Sequence, residues 1–430
     1  PTRPHTGQFQ VVGGAVALML VTTSAASAPI PDRRPVERAH HGDVVNDPYE
    51  WLRAKEDPAV LAHLEAENAY TAARTAHLSG LQERVFEEIK SRTLETDLSV
   101  PSRQGDWWYY GRTVAGKQYG IQCRAPLAAP DDWTPPVLSP DVEVPGEQIL
   151  LDSNVEAEGQ EFFSLGSFDV STDGTRMLFG VDVAGDERYT IRVRDLVTGN
   201  QLPDEIPDTF AGASFSPDGR FIVYTTVDDA WRPDTVWLHE IGTPVEDDTK
   251  LFYEPDERYW VGAGFTRSER YLIISLGSSI TSEEWLVDAV DLRSEPRVVW
   301  PRREGVEYDI SHAVVHGEDV LYILHNDGAL DFELVRVSAA DPQGARHSVI
   351  PHRPGIRLLG LSTFRDWGVI GYRREGLARL GMLDYGTSTV SEIAFEEPLY
   401  AVGTGGNPEW ASPLLRLSYG SFVTPGTVFD

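Results

Sequence analysis

The sequence predicts a mainly β protein, a seven-bladed β-propeller whose last blade is incomplete, preceded by an N-terminal arm and an α-helical segment. Three observations lead there. Short apolar runs rich in Ile, Val, Tyr and Phe recur from residue 105 to the end, each entered through a polar turn. The turns return at a nearly constant spacing. Helical periodicity is confined to one stretch ahead of them, residues 57–92.

Residues 1–30 read as a signal-like or artefactual extension. The apolar run "VVGGAVALMLV" (residues 11–21) is too short to span a bilayer, and Ala26-Ser27-Ala28 after it fits a signal-peptidase site. The expected location is cytoplasmic, or exported if residues 11–28 are a genuine signal peptide. Residues 31–95 read as an arm, polar and rich in Pro, Arg and His, followed by helices. Asp57-Pro58 is an N-cap with Pro at the first helical position. Val60, Leu61 and Leu64, then Leu81, Val85, Phe86 and Ile89, recur at helical spacing, and Gly80 divides the stretch in two.

Residues 96–430 read as the propeller. Asp106, Asp173, Asp218, Glu269, Glu318, Asp366 and Ala411 anchor seven turn-plus-run units, with steps of 67, 45, 51, 49, 48 and 45 residues. A strand-built repeat of about 48 residues matches a four-stranded blade. The runs are almost continuously apolar, as expected of strands covered on both faces. Segments such as "YTIRVRDLVTGN" and "DTVWLHEIGT" supply outer strands. A seventh blade starting near Ala411 has only about 20 residues, where a blade needs about 40–50, so the chain is expected to stop inside it.

Charge and cysteine content narrow the function classes. The 67 acidic residues outnumber 37 basic ones, for a formal net charge of −30. Nucleic acid is excluded as a partner, because phosphate binding needs a basic face. Cys123 is the single cysteine, so no internal disulfide and no Cys-based zinc site is possible, and a strand position makes it a small buried hydrophobe. His40-His41 with Asp43 and Asp47 has no metal-ligand spacing. Asp173-Gly174 and Asp218-Gly219 are hairpin-turn pairs rather than Ca²⁺ loops. No cofactor and no metal site is expected. Trp51 reads as an interdomain anchor and Trp108 as blade core. In "EAEGQEFFSLG" (residues 156–166) three carboxylates, Glu156, Glu158 and Glu161, lead into a strand. Glu161 is the one site candidate, for steering a cationic peptide or pairing with a basic group of another domain.

The segment "NDPYEWLRAKEDPAVLAHLEAENAYT" (residues 46–71) carries Asp47, Tyr49, Trp51 and Leu52, then Glu67, Asn68 and Tyr70. This pattern resembles the N-terminal signature of the prolyl oligopeptidase family. "VWLHEIGTP", "SSITSEEWLVDA", "PRREGVEY" and "LRLSYGSFVTP" are similar to its oligopeptidase B branch. The resemblance runs from about Arg33 to the end. It implies a seven-bladed propeller capping an α/β-hydrolase domain with a Ser-Asp-His triad, N-terminal helices packed on that domain, and cleavage of short peptides after Arg or Lys. The propeller would act as a size filter, and short basic peptides would be the partners, bound through the missing hydrolase domain.

No Gly-x-Ser-x-Gly elbow is present. "GASFS" (residues 212–216) has Ser in place of the second Gly and precedes a hairpin turn. No catalytic residue is assigned, and the chain by itself is expected to be inactive. The alternative is a stand-alone propeller that binds a peptide or protein, for which Trp51, Leu52 and the helices have no use. A propeller glycosidase would need paired carboxylates at a central pocket.

Overall fold

The computed structural model describes residues 27–140, 142 and 144–430. The apolar run at residues 11–21 lies outside the described residues. The chain divides into two compact units between Leu94 and Glu95.

The first unit opens with a hairpin, β1 (Val36–His40) and β2 (Asp43–Asp47). Its turn is His41-Gly42, both with positive φ (51° and 84°), the geometry of a two-residue hairpin turn. The expected extended arm is therefore a paired one, and His40 and His41 serve its turn. Trp51, in a short 3₁₀ turn, donates from Nε1 to the Asp32 carbonyl at 2.8 Å and lies under the Arg34 guanidinium. Helix α1 (Pro58–Thr75) starts where Asp57 accepts from the Ala59 N–H at 2.8 Å. A 3₁₀ turn at Ala76–Leu78 leads into α2 (Ser79–Arg92). The break thus precedes Gly80, which sits in the first turn of α2. No residue of α2 is buried, and Leu81, Val85, Phe86 and Ile89 line one exposed stripe.

The second unit is a β-propeller of antiparallel meanders, entered one after another along the chain. The first sheet is β3 (Ser102–Gln104), β4 (Trp107–Arg112), β5 (Ile121–Pro126) and β6 (Gln148–Asp152). A one-turn helix, α3 (Ser153–Glu156), follows. The next meander is β7 (Ser164–Val170), β8 (Arg176–Asp182), β9 (Tyr189–Asp195) and β10 (Gln201–Thr209). After it come β11 (Ser214–Phe215), β12 (Phe221–Val227), β13 (Pro233–Glu240) and β14 (Thr249–Tyr253). Then follow β15 (Trp260–Phe265), β16 (Tyr271–Gly277), β17 (Ser282–Asp288) and β18 (Arg297–Val298). The fifth meander is β19 (Tyr308–Val315), β20 (Glu318–His325), β21 (Glu333–Ser338) and β22 (His347–Ile350). The sixth is β23 (Ile356–Thr363), β24 (Trp367–Arg374), β25 (Leu377–Asp384) and β26 (Val390–Glu392). The last sheet has three strands, β27 (Ala401–Thr404), β28 (Leu417–Gly420) and β29 (Thr427–Phe429).

Seven separate sheets are not what forms. The β7–β10 and β11–β14 meanders share one eight-stranded sheet, joined where Thr209 pairs with Thr226. The cause is local. Strand β11 covers only two residues of the β12 edge, Ile222 and Val223. Register shifts in β10 bring Thr209 and Phe210 onto the uncovered part, where the Phe210 N–H donates to the Thr225 carbonyl at 2.7 Å. The anchor turns precede the second strand of each meander, not its start. The last sheet accordingly begins at Ala401, ahead of Ala411. The first step between anchors is the longest because β5 ends at Pro126 and β6 begins only at Gln148.

The cores lie between consecutive meanders rather than within them. Val236 and Leu238 of β13 pack with Leu272, Ile274 and Val287 of the next sheet, and Leu286 and Trp300 pack with Leu321, Ile323 and Val335 of the one after. Face-to-face packing of this kind explains why β8, β12 and β20 are apolar almost throughout. The last sheet meets the first through side chains. Arg416 donates to the Pro101 carbonyl while holding Asp430 at 2.6 and 2.7 Å, and Glu409 accepts from the Gly105 N–H at 2.5 Å.

Candidate functional site

The first strands of successive meanders line a common space. A cavity of about 390 Å³ opens where β7, β11 and β15 run into their turns, and Gln104 and Pro408 from the first and last sheets close its far side. Gly212 and Gly264 line it, and nothing lies within 4 Å of where a Cβ at either would stand. Residues from at least four meanders therefore converge on one mouth of the ring.

Its chemistry rests on three charged groups. Asp169, next to last in β7, accepts from the Phe215 N–H at 2.8 Å and the Val170 N–H at 2.9 Å. Burial pushes its carboxyl up to about 6, against the lowering effect of those two bonds, and the charge of Glu269 adds to the rise. Glu269 stands in the β15–β16 turn at φ 56°, with the Thr172 hydroxyl at 3.4 Å. Its carboxyl is also raised, first by burial and then by the nearby Glu409 charge. Neither carboxylate forms an ion pair among the described residues. Arg267, from the same turn, donates to the Thr363 carbonyl at 2.7 Å and lies 4.5 Å over the Phe364 ring. Burial lowers its pKa. The mouth therefore offers two carboxylates with no cationic partner and a guanidinium held by a carbonyl rather than by a carboxylate.

Next to this mouth is an arrangement the sequence did not announce. Ser268 Oγ lies 2.7 Å from His312 Nδ1, and His312 Nε2 lies 3.0 Å from Asp319 Oδ1. The three residue types are those of a hydrolytic triad, but the setting is not. Ser268 sits in a hairpin turn instead of a strand-to-helix elbow and also bonds the Thr266 hydroxyl at 2.9 Å. The His312 ring is 2% exposed, set edge-on to Tyr271 and stacked against Trp410, and burial lowers its pKa. The trio ties the β15–β16 turn to β19 and to the start of β20. Its members come from separate elements and carry no common sequence signal.

Glu161 is not drawn into the mouth. It lies exposed in a bend three residues before β7, and forms no hydrogen bond or ion pair among the described residues. Strand β7, seven residues and about 23 Å long, separates it from Asp169 and the cavity. Of its neighbours, Glu156 is held by Arg194 at 2.7 Å. Asp173 and Asp218 accept from turn hydroxyls and N–H groups, with Gly174 and Gly219 at φ 69° and 66°. Cys123 is buried, and burial, with Glu147 nearby, pushes its thiol up to about 11. Among the described residues no group of three or more His, Cys, Asp or Glu side chains has metal-site geometry, and no helix is long and apolar enough to cross a membrane.

Antiparallel meanders following one another along the chain, preceded by a helical segment, define a β-propeller protein. A family model described as the prolyl oligopeptidase N-terminal β-propeller domain matches residues 29–430, and the chain belongs to that family. It is 32% identical over 424 residues to dipeptidyl aminopeptidase BI of Pseudoxanthomonas mexicana, covering 96% of this chain and 57% of the relative. It is 31% identical to Protease 2 of Moraxella lacunata, covering 93% and 56%. Among solved structures, oligopeptidase B from Trypanosoma brucei with covalently bound antipain superposes with a TM-score of 0.84 at 29% identity, covering 94% of this chain and 58% of the other. The chain thus spans somewhat more than half the length of the relatives it matches.

Proposed function

We propose that this chain is the non-catalytic, substrate-admitting part of a serine-type oligopeptidase of the oligopeptidase B kind. In this reading residues 96–430 form seven blades, with the eight-stranded sheet counting as two and the three-stranded sheet as the seventh. Residues 31–95 form the arm and helices that pack on a hydrolase domain. The ring filters peptides by size, and the reaction, cleavage of short peptides after Arg or Lys, belongs to residues this chain does not contain. The observation that carries the reading is the mouth lined by Asp169 and Glu269, carboxylates without a cationic partner, in a fold shared with oligopeptidase B at TM-score 0.84. Such a mouth favours entry of a positively charged chain. Glu161, exposed and unpaired, is assigned to the opposite end of β7 as a contact for a basic group of the hydrolase domain.

The test joins this chain to the unaligned remainder of Moraxella lacunata Protease 2 and compares the hybrid with the chain alone on Arg- and Lys-containing peptides. The hybrid is expected to cleave short peptides and spare long ones, with kcat/KM for basic substrates reduced severalfold in E269Q. Turnover by the chain alone, or equal cleavage of long and short peptides by the hybrid, overturns the reading.

A further inference from the structure

A second cavity, far larger than a water site and unrelated to the ring mouth, lies between the fifth and sixth meanders. Its volume is about 510 Å³, within the range of about 300–1,000 Å³ typical of small-molecule sites. Its walls are aliphatic. Val349 and Ile350 come from β22, Ile356 and Leu358 from β23, Ile370 from β24 and Val390 from β26. Ile370 and Leu358 are 1% and 5% exposed. Gly381 of β25 is what lets one wall form. Val390 Cγ1 sits 2.5 Å from the point a Cβ there would occupy, so only a bare backbone allows Val390 to lie flat on the strand.

The charged lining groups are unequal in their needs. Glu392, the one carboxylate among the described lining residues, is fully engaged. Arg374 reaches it at 2.6 and 3.0 Å and the Tyr372 hydroxyl donates to it at 2.5 Å. Arg353 lines the same cavity, is exposed, and has no side-chain partner among the described residues. The surroundings repeat this imbalance. Residues 353–392 hold six arginines against four carboxylates, in a chain whose net charge is −30. The lining itself carries two guanidiniums, Arg353 and Arg374, against one carboxylate, in contrast to the acidic chain as a whole.

We propose that this inter-blade cavity binds a carboxylate carrying a medium-length aliphatic tail, with the tail on Ile350, Leu358 and Ile370 and the head on Arg353. The aliphatic residues offer no hydrogen-bonding group, and the few neutral polar ones are Ser388, Thr389 and Tyr372, the last already bonded to Glu392, so a ligand with a large polar body would enter at the cost of unmade hydrogen bonds. The free charge that Arg353 brings to the rim is cationic and planar, suited to a carboxylate. The walls are mostly branched aliphatics, with Tyr372 the one aromatic ring among the described lining residues, which suits an alkyl chain. A peptide ending in Arg or Lys fits neither the floor nor the rim. The site is independent of the peptidase reading.

The test is calorimetric titration of the 430-residue chain with decanoate below its micellar concentration, alongside 1-decanol, acetate and a short peptide ending in Leu. Decanoate is expected to bind saturably at one site, decanol at least tenfold more weakly, and acetate not at all. R353Q removes an exposed side chain with no partner. It should leave Tm unchanged and weaken decanoate tenfold or more, while V349W, which fills the cavity, should abolish binding. The proposal is overturned if decanoate does not saturate, if decanol binds as well, or if R353Q binds decanoate normally. It is also overturned if the Leu-ended peptide binds in an Arg353-dependent way and decanoate does not.

Discussion

Helix α2 and strand β20 carry the same kind of message in sequence, apolar residues repeating at the period of their backbone, and end in opposite environments. Six of the eight residues of β20 are buried, Leu321 and Ile323 completely. On α2 the apolar stripe stays exposed, with Phe86 at 60% and Ile89 at 62%. A periodic apolar face states that an element needs a partner. It does not state that the partner belongs to the same unit. For β20 the partner strands are the neighbouring meanders. For α2, nothing in its own unit covers the stripe.

The contrast can be broken hardest from the buried side. L321A should cost about 3 kcal/mol of unfolding free energy, from lost transfer and residual cavity, read as a lower denaturant midpoint at constant m-value. A cost below about 1 kcal/mol would mean that the inter-sheet packing is loose.

A second, smaller effect sharpens the comparison at the ring mouth, where burial is incomplete and carries a charge. The Asp169 carboxyl titrates near 6 in the fold and 3.8 is its ordinary value. An acid raised in this way supports the fold most below its unfolded pKa. That support is lost as pH rises through about 6, because the charged form is the disfavoured one. D169N should therefore gain on the natural sequence between about pH 5 and 7.5, by on the order of 1 kcal/mol. A constant gap across that range would show that Asp169 is not held raised.

The smallest effect is expected on the exposed side. F86S should move stability by less than about 0.5 kcal/mol while reducing self-association in sedimentation. A loss of about 2 kcal/mol or more, the scale of a buried-site substitution, would mean that the stripe is covered after all.

Legibility followed the same division. The second strands β4, β8, β12, β16, β20 and β24 were readable because both faces are covered and the apolar run is nearly unbroken. The first strands were not. β3 and β11 have three and two residues, and β15, "WVGAGF", is half glycine and alanine because it borders open space. The joined sheet was hidden too, since it depends on how little of β12 is covered by β11. The candidate site was the least legible part. Asp169, Arg267 and Glu269 meet Gln104 and Pro408 only once the ring is closed, and no spacing encodes that. Glu269 was noticed as a turn marker, whereas Glu161 was singled out from a local acidic cluster that the fold leaves on the other side of β7.

The seam between the first and last sheets is fastened differently from every other junction. Elsewhere apolar faces interlock beside polar ties such as Phe210 to Thr225 and Ser268 to His312. Here a guanidinium and a carboxylate, Arg416 on Pro101 and Glu409 on Gly105, bear much of the contact. Polar stitches of this kind exchange readily with water, whereas interdigitated aliphatics do not. The ring is thus built like a split washer. At this one junction charged side chains bonded to backbone groups stand where the other junctions bury apolar clusters.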